Sequence, residues 1–189
     1  MANNDNAKGF APVKSLDGKP YCGQAIKYFV PATDSTAIYL GAPVKLAGSA
    51  DSRGIPTVAL ASSGDKVVGV MVGKLEATRD DTLYREADTA EYIAVCPVDG
   101  MLFEIQEDSD GGALAATNVG QNISWTGSGG DTVYGTSNIE LDSSTAATTN
   151  TLALQIHSLA DREDNEIGTN AKWLVRFNDV QFDNQIAGV

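Results

Sequence analysis

Residues 65–73 have the sequence DKVVGVMVG, a short run of branched apolar residues with two glycines inside it. β-Branched side chains favour strands because they pack well on a pleated surface. A glycine inside such a run marks a tight bend or a bulge, which a small closed barrel needs. Residues 62–65, with the sequence SSGD, precede the run and have typical turn chemistry. The stretch therefore predicts one strand of a small barrel.

Runs of the same kind lie on both sides of this stretch and are separated by turns rich in Gly, Ser and Asp. They comprise residues 25–30, 37–41, 42–47, 55–60, 92–96 and 101–105. Short strands at such regular intervals are typical of barrels and sandwiches. We therefore predict a barrel-like lobe over residues 21–100.

The second half of the chain shows a cleaner alternation of apolar and polar residues. In residues 172–178, Trp173, Val175 and Phe177 alternate with polar positions, and residues 151–157 follow the same period of two. This period indicates half-buried strands. We predict a sandwich or jelly-roll-like lobe over residues 101–189, so that the whole fold is all-β.

Several segments of this half depart from the strand pattern. Residues 111–120 are compatible with one short helix. The polar stretches 127–130 and 143–150 are expected to be loops at hairpin tips.

Residues 1–20 are polar and interrupted by Gly and Pro, and they contain too little apolar surface to order by themselves. One interpretation is a frayed terminus. The other is an extended N-terminal arm that orders against a neighbouring subunit. Phe10 and Val13 favour the arm because a solvating tail has no need of them.

The charge of the chain limits its partners. The formal net charge is -12 and the pI is about 4.3. Such an acidic surface repels phosphate backbones and anionic lipid, so neither a nucleic acid nor a membrane is an expected partner. Cys22 and Cys96 are the only cysteines. We expect two buried free thiols, with a single disulfide as the alternative.

The residues that catalysis commonly needs are scarce. His157 is the single histidine and lies in an alternating run without a Gly-x-Ser-x-Gly elbow elsewhere in the chain. The glycines at 127–130 are followed by Asp131 rather than by the Lys of a phosphate-binding loop. No catalytic residue, cofactor or metal is therefore predicted. Calcium is the best remaining cation, at the acidic segments 107–111 or 161–166, although their ligands are out of register.

Six segments of the chain are similar to β-rich virion proteins of tailed bacteriophages. They are GAPVKLAGSAD (41–51), GIPTV (54–58), VVGVMVG (67–73), NIELDSS (138–144), LADREDNE (159–166) and AKWLVRFN (171–178). The chain resembles the capsid cement, or decoration, proteins of these phages over most of its length from about residue 21.

This resemblance implies a structural protein without catalytic residues. Proteins of this family form homotrimers on the outer capsid surface and clamp capsomers of the major capsid protein against internal pressure. The protein would be made in the cytoplasm of the bacterial host. The predicted arm, with Phe10, Pro12 and Val13, would then reach neighbouring capsomers. Leu174 and Val180, taken as exposed apolar strand residues, would lie in the trimer interface.

Three alternatives remain at this point. Another virion part, such as a head-fibre base or a tail protein, would share the same all-β character, and a tail tube subunit would form hexameric rings. A carbohydrate-binding β-sandwich would need Trp125, Tyr134 or Trp173 exposed as a stacking platform. A carboxylate-based hydrolase would need two acids with strongly shifted pKa values in one pocket.

Overall fold

A computed structural model of the chain describes residues 3–78 and 80–182. The protein has an all-β fold, as the sequence predicts, and in the described residues it contains eleven strands and one turn of 3-10 helix. The strands are β1 (Ala11–Ser15), β2 (Ile26–Val30), β3 (Pro43–Ala50), β4 (Pro56–Leu60), β5 (Gly69–Leu75), β6 (Glu91–Pro97), β7 (Met101–Gln106), β8 (Asn122–Thr126), β9 (Glu140–Ala147), β10 (Leu154–Leu159) and β11 (Lys172–Phe177), and the 3-10 helix is Ala116–Asn118.

Strands β2 to β6 close into a barrel in the order β2-β4-β3-β5-β6. β2 and β4 pair in parallel, and the other neighbours pair antiparallel. Gly69 and Gly73, the two glycines of residues 65–73, help the barrel to close. Gly69 lies directly against the Val95 side chain, and Gly73 follows the bulge at which the β5–β6 register shifts. The closed strand order confirms the predicted barrel, and Val30, Val44, Val58, Val70, Ile93 and Val95 are fully buried in these strands.

The second lobe is a single six-stranded antiparallel sheet in the order β1-β7-β11-β10-β8-β9. The sheet curls until Glu107, just beyond β7, forms a parallel bridge with Leu141 of β9. Where the sequence predicts a sandwich or a jelly roll, the structure therefore has one strongly curved sheet. Its buried face and the interior of the barrel belong to one continuous hydrophobic core.

Phe10 joins the two lobes. Its ring is 1% exposed and lies edge-on to Phe103 and Trp125, with ring centroids 6.3 and 5.9 Å away, and 4.8 Å from Phe177. Its backbone N–H donates a 2.9 Å hydrogen bond to the carbonyl of Gly41, just before barrel strand β3. The side chain therefore fills the core of the sheet, while the backbone of the same residue is bound to the barrel lobe.

The chain crosses itself closely at this point, and glycine permits the crossing. Gly9 and Gly41 both have positive φ, at +68° and +84°. A Cβ atom on Gly9 would lie 2.5 Å from the Gly41 carbonyl oxygen. Any other residue at these positions would meet both backbone strain and a steric clash.

The prediction of a capsid-reaching arm over residues 1–20 is wrong for Phe10, because the burial of its ring leaves no surface for a partner. The residues after Phe10 form β1, which pairs with β7 of the same chain. Pro12 is half-buried and Val13 is exposed in this edge strand, so their predicted role in capsid binding stays a prediction. Residues beyond β1 turn back on the strand, with the Tyr21 N–H bonded to the Val13 carbonyl at 2.8 Å.

The predicted trimer-interface residues differ in their exposure. Leu174 is buried within its own chain, so the expectation that it is exposed for a neighbour is wrong. The second face of β11 is partly covered, because Leu174 is buried although it points away from Trp173 and Val175, while Arg176 on the same face is exposed. Val180 is half-buried and forms a parallel bridge with Val67 of the barrel lobe. Its place in a trimer stays a prediction.

Replacing Phe10 tests whether the N-terminal segment is part of the core. Phe10→Ala removes the ring between Phe103, Trp125 and Phe177, and we expect a loss of about 3–5 kcal/mol in the free energy of unfolding. Val13→Ala, in the exposed part of β1, is the control and should change the free energy by less than about 0.5 kcal/mol. Urea denaturation measures both. Equal, small effects would show that the segment is a detachable arm.

Candidate interaction surface

Three large apolar side chains project into solvent from two loops that meet between the lobes. Leu83, in the β5–β6 connection, is 58% exposed, and Val133 and Tyr134, in the β8–β9 connection, are 77% and 69% exposed. We call Leu83, Val133 and Tyr134 the apolar patch. Folding gains little from residues in such positions, and adjacent exposed apolar side chains commonly mark an interaction site.

Backbone geometry holds the two loops against each other. Gly135 has φ of +69°, and a Cβ atom there would lie 2.6 Å from the Cβ of Leu83, so the loops are in direct contact. The Asp131 carboxylate accepts hydrogen bonds from the N–H groups of Val133 and Tyr134, at 2.7 and 3.1 Å. The patch is therefore displayed on a defined turn.

A segment of the barrel lobe, just before β3, is hydrogen-bonded to this turn. Leu40 donates its N–H to the Gly135 carbonyl and accepts the Ser137 N–H, both at 2.8 Å. Tyr39 and Tyr84 stack with ring centroids 4.5 Å apart, and Gly130 lies against the Tyr39 ring. Loops from both lobes and the segment before β3 thus form one packed unit.

Arg85 is the buried centre of this unit. Its side chain has no solvent exposure and donates to three backbone carbonyls, those of Thr89 at 2.9 Å, Thr36 at 2.7 Å and Pro31 at 2.8 Å. Burial lowers the pKa of the guanidinium, and the Asp34 carboxylate, 3.9 Å away, counteracts this effect. The side chain therefore connects the β5–β6 loop, which contains Thr89, to the β2–β3 connection, which contains Pro31 and Thr36.

Carboxylates are frequent in the two loops that carry the apolar patch. Asp80, Asp81, Glu86 and Asp88 are exposed in the loop that carries Leu83, and Asp131 is exposed beside Val133. Arg85, the basic residue that the structure describes in residues 80–90, is buried. The two loops therefore carry five exposed carboxylates, while Lys8, also exposed, lines the same cleft as Asp131 and Tyr134.

The acidic segment 107–111 uses its carboxylates to bind its own chain. Glu107 is fully buried, and its carboxylate accepts the Leu114 N–H at 2.8 Å, while burial raises its pKa. Asp108 accepts the N–H and the hydroxyl of Ser143, at 3.0 and 2.9 Å. Within residues 3–78 and 80–182, no group of three or more His, Cys, Asp or Glu side chains is arranged to hold a metal ion.

The residues considered for catalysis are dispersed in the described part of the chain. His157 is exposed, and its ring nitrogen Nδ1 lies 3.2 Å from the Ser158 hydroxyl. Burial raises the pKa of the Glu140 carboxyl, as it does for Glu107, but Glu140 is engaged by the side-chain amide of Gln106 at 2.8 Å. Among the described residues, His157 has its hydrogen bond with Ser158 and none with a carboxylate that could orient its ring, so the Ser–His–carboxylate arrangement is incomplete.

The two cysteines lie in different environments and are both free thiols. Cys96 is buried in β6, and burial raises the pKa of its thiol to about 11. Cys22 is exposed, which corrects the expectation that both thiols are buried. It lies in the segment between β1 and β2.

The aromatic residues proposed for carbohydrate stacking are mostly inaccessible. Trp125 and Trp173 are both buried in the core, and only Tyr134 of the three is exposed. A sugar ring stacks on the open face of an aromatic side chain, so neither tryptophan provides such a surface.

Comparisons with known proteins add no identification. No protein-family model matches the chain, and no curated protein sequence matches it. None of the helical structure in the described residues is long and apolar enough to cross a bilayer.

The sequence indicates only part of this surface. Tyr134 appears there as a possible sugar-stacking residue, whereas Leu83 and Val133 lie in loops without a periodic pattern. The run Asp131-Thr132-Val133-Tyr134 offers one local signal, because two large apolar residues follow a glycine-rich turn. Their proximity to Leu83 depends on the way in which the lobes pack.

Replacing Arg85 tests whether this residue holds the loops together. Arg85→Lys keeps the charge but leaves buried carbonyls without donors, and we expect a loss of about 2–4 kcal/mol in the free energy of unfolding. Arg176→Lys is the matched control at an exposed position and should cost less than about 0.5 kcal/mol. Urea denaturation compares the two. Similar small losses in both variants would contradict the assigned role of Arg85.

Proposed function

We propose that the protein is a structural virion protein, a cement protein that binds the outer capsid surface of a tailed bacteriophage as a homotrimer. In this role it clamps neighbouring capsomers of the major capsid protein. The observation that carries the proposal is the apolar patch of Leu83, Val133 and Tyr134, which is exposed to solvent and yet held in place by both lobes.

The segments that resemble phage cement proteins support the proposal by their location. They form the whole of β3 and β11, most of β5, and part of β4 and β9. They therefore belong to the framework of both lobes, whereas the apolar patch lies outside them. A shared framework with a separate contact surface is what a family that decorates different shells requires.

Physical considerations agree with a clamp. A single patch of three side chains is small for a stable binary complex. A homotrimer presents the patch three times, and linked contacts on a symmetric shell gain affinity through high effective concentration. The net charge of -12 also suits a protein displayed densely on a particle, because like-charged particles repel one another.

Light scattering during size exclusion, followed by sedimentation with capsid shells, tests the proposal. We expect a mass of three times the chain mass of 19.8 kDa, and cosedimentation with expanded shells built from the major capsid protein of the same phage. The bound shells should also resist heat better than bare shells, because each trimer links adjacent capsomers. Absence of binding to shells would contradict the proposal, and a six-membered ring in solution would favour a tail protein.

A further inference from the structure

We infer that the apolar patch is the capsid-binding face, and that its partner is an apolar surface of the major capsid protein bordered by Lys or Arg side chains. This inference rests on the proposed function and adds to it the face that binds and the chemistry of the surface that receives it.

The first support is the exposure of the patch, which contains the two most exposed large apolar side chains of the described residues. Val133 and Tyr134 are adjacent in the chain and project from one turn, and Leu83 lies against Gly135 of the same turn. Burial of apolar side chains is the main favourable contribution to most protein association. Tyr is also enriched at binding hot spots, where a large ring becomes fully desolvated.

The second support is the rigidity of the loops. The Asp131 carboxylate fixes the turn, the Leu40 backbone pairs with it, and Arg85 binds three carbonyls of the adjoining loops. A surface that is already ordered loses little conformational entropy when it docks. These hydrogen bonds therefore hold the loops that carry the solvent-exposed apolar residues in one position.

The third support is charge, which selects the occupant. The two loops that carry the patch contain five exposed carboxylates, Asp80, Asp81, Glu86, Asp88 and Asp131, against one exposed Lys8 in the cleft beside Tyr134. A second copy of a chain with net charge -12 would bring further negative charge to these loops. A partner with basic residues around an apolar centre complements them, and this complementarity assigns the patch to the capsid rather than to the trimer contact.

The burial of Phe10 in the N-terminal segment gives independent support. Phe10, the largest apolar residue of the predicted arm, is inside the core, so the arm lacks the anchor through which it was expected to bind. Among the described residues, Val133 and Tyr134 have the highest exposures of the large apolar side chains.

The apolar part of the inference is tested with the double variant Val133→Ser/Tyr134→Ser. Val119→Ser is the matched control. Val119 is also exposed but precedes β8, whereas Val133 and Tyr134 follow this strand. Both proteins are first sized by light scattering and then titrated onto expanded shells in a sedimentation assay. We expect the double variant to keep the wild-type mass and to bind the shells about tenfold or more weakly, with the control unchanged.

The electrostatic part is tested with Asp80→Asn/Glu86→Gln, and Asp161→Asn/Glu163→Gln is the control with the same loss of charge elsewhere on the surface. We expect the first variant to bind shells more weakly at low salt and like wild type at about 1 M salt, where exposed charges are screened. The control should bind like wild type at both salt concentrations.

The outcomes separate this inference from the proposed function. Wild-type protein that fails to bind shells contradicts the cement function itself. Wild-type binding that the Val133→Ser/Tyr134→Ser variant retains overturns only the assignment of the face. A double variant that dissociates into monomers overturns the inference by placing the patch between copies of the chain. Equal binding of the two charge variants at low salt overturns the basic border of the partner.

Discussion

The structure depends on the position of Phe10, whose ring fills the aromatic core of the sheet while its backbone is bonded to Gly41 beside the barrel. Without this residue, the centre of the curved sheet would contain a cavity bordered by Phe103, Trp125 and Phe177. The close crossing of Gly9 and Gly41 brings the lobes to a fixed separation. This arrangement also brings the barrel segment at Leu40 against the sheet-lobe loop at Thr136, and it thereby positions the apolar patch.

Much of the fold follows from the sequence, because local side-chain patterns report burial. The run at 65–73 predicts a barrel strand with bends, and the alternation over 172–178 predicts β11 almost to the residue. Strand β1 is less predictable, since Pro and exposed residues are compatible with an edge strand but do not indicate one. The Ser, Thr and Ala residues that end β9 resemble a loop, yet the close approach of Gly111 to Ser144 covers this edge of the sheet. Pairing with strands that are distant in the sequence therefore determines β1 and the end of β9.

The candidate site is harder to predict, because it is assembled from loops that are distant in the sequence. Leu83 meets Gly135, in the turn that carries Val133 and Tyr134, only after the barrel and the sheet have packed together. Arg85 has the sequence context of a solvated charge, and its burial results from three carbonyls that converge in space. The erroneous expectations for Phe10 and Leu174 have a common cause: a local pattern identifies an apolar residue but does not distinguish burial in its own chain from burial against a partner.

The central claim is that the face formed by the two loops, rather than the N-terminal segment, contacts the capsid. Hydrogen–deuterium exchange of free and shell-bound protein tests this claim most directly, since it reports protection along the whole chain without a mutation. The account predicts slower exchange on binding in residues 80–90 and 127–138, with little change in β1 and residues 16–21. Protection confined to β1 and residues 16–21, with the two loops unchanged, would contradict it.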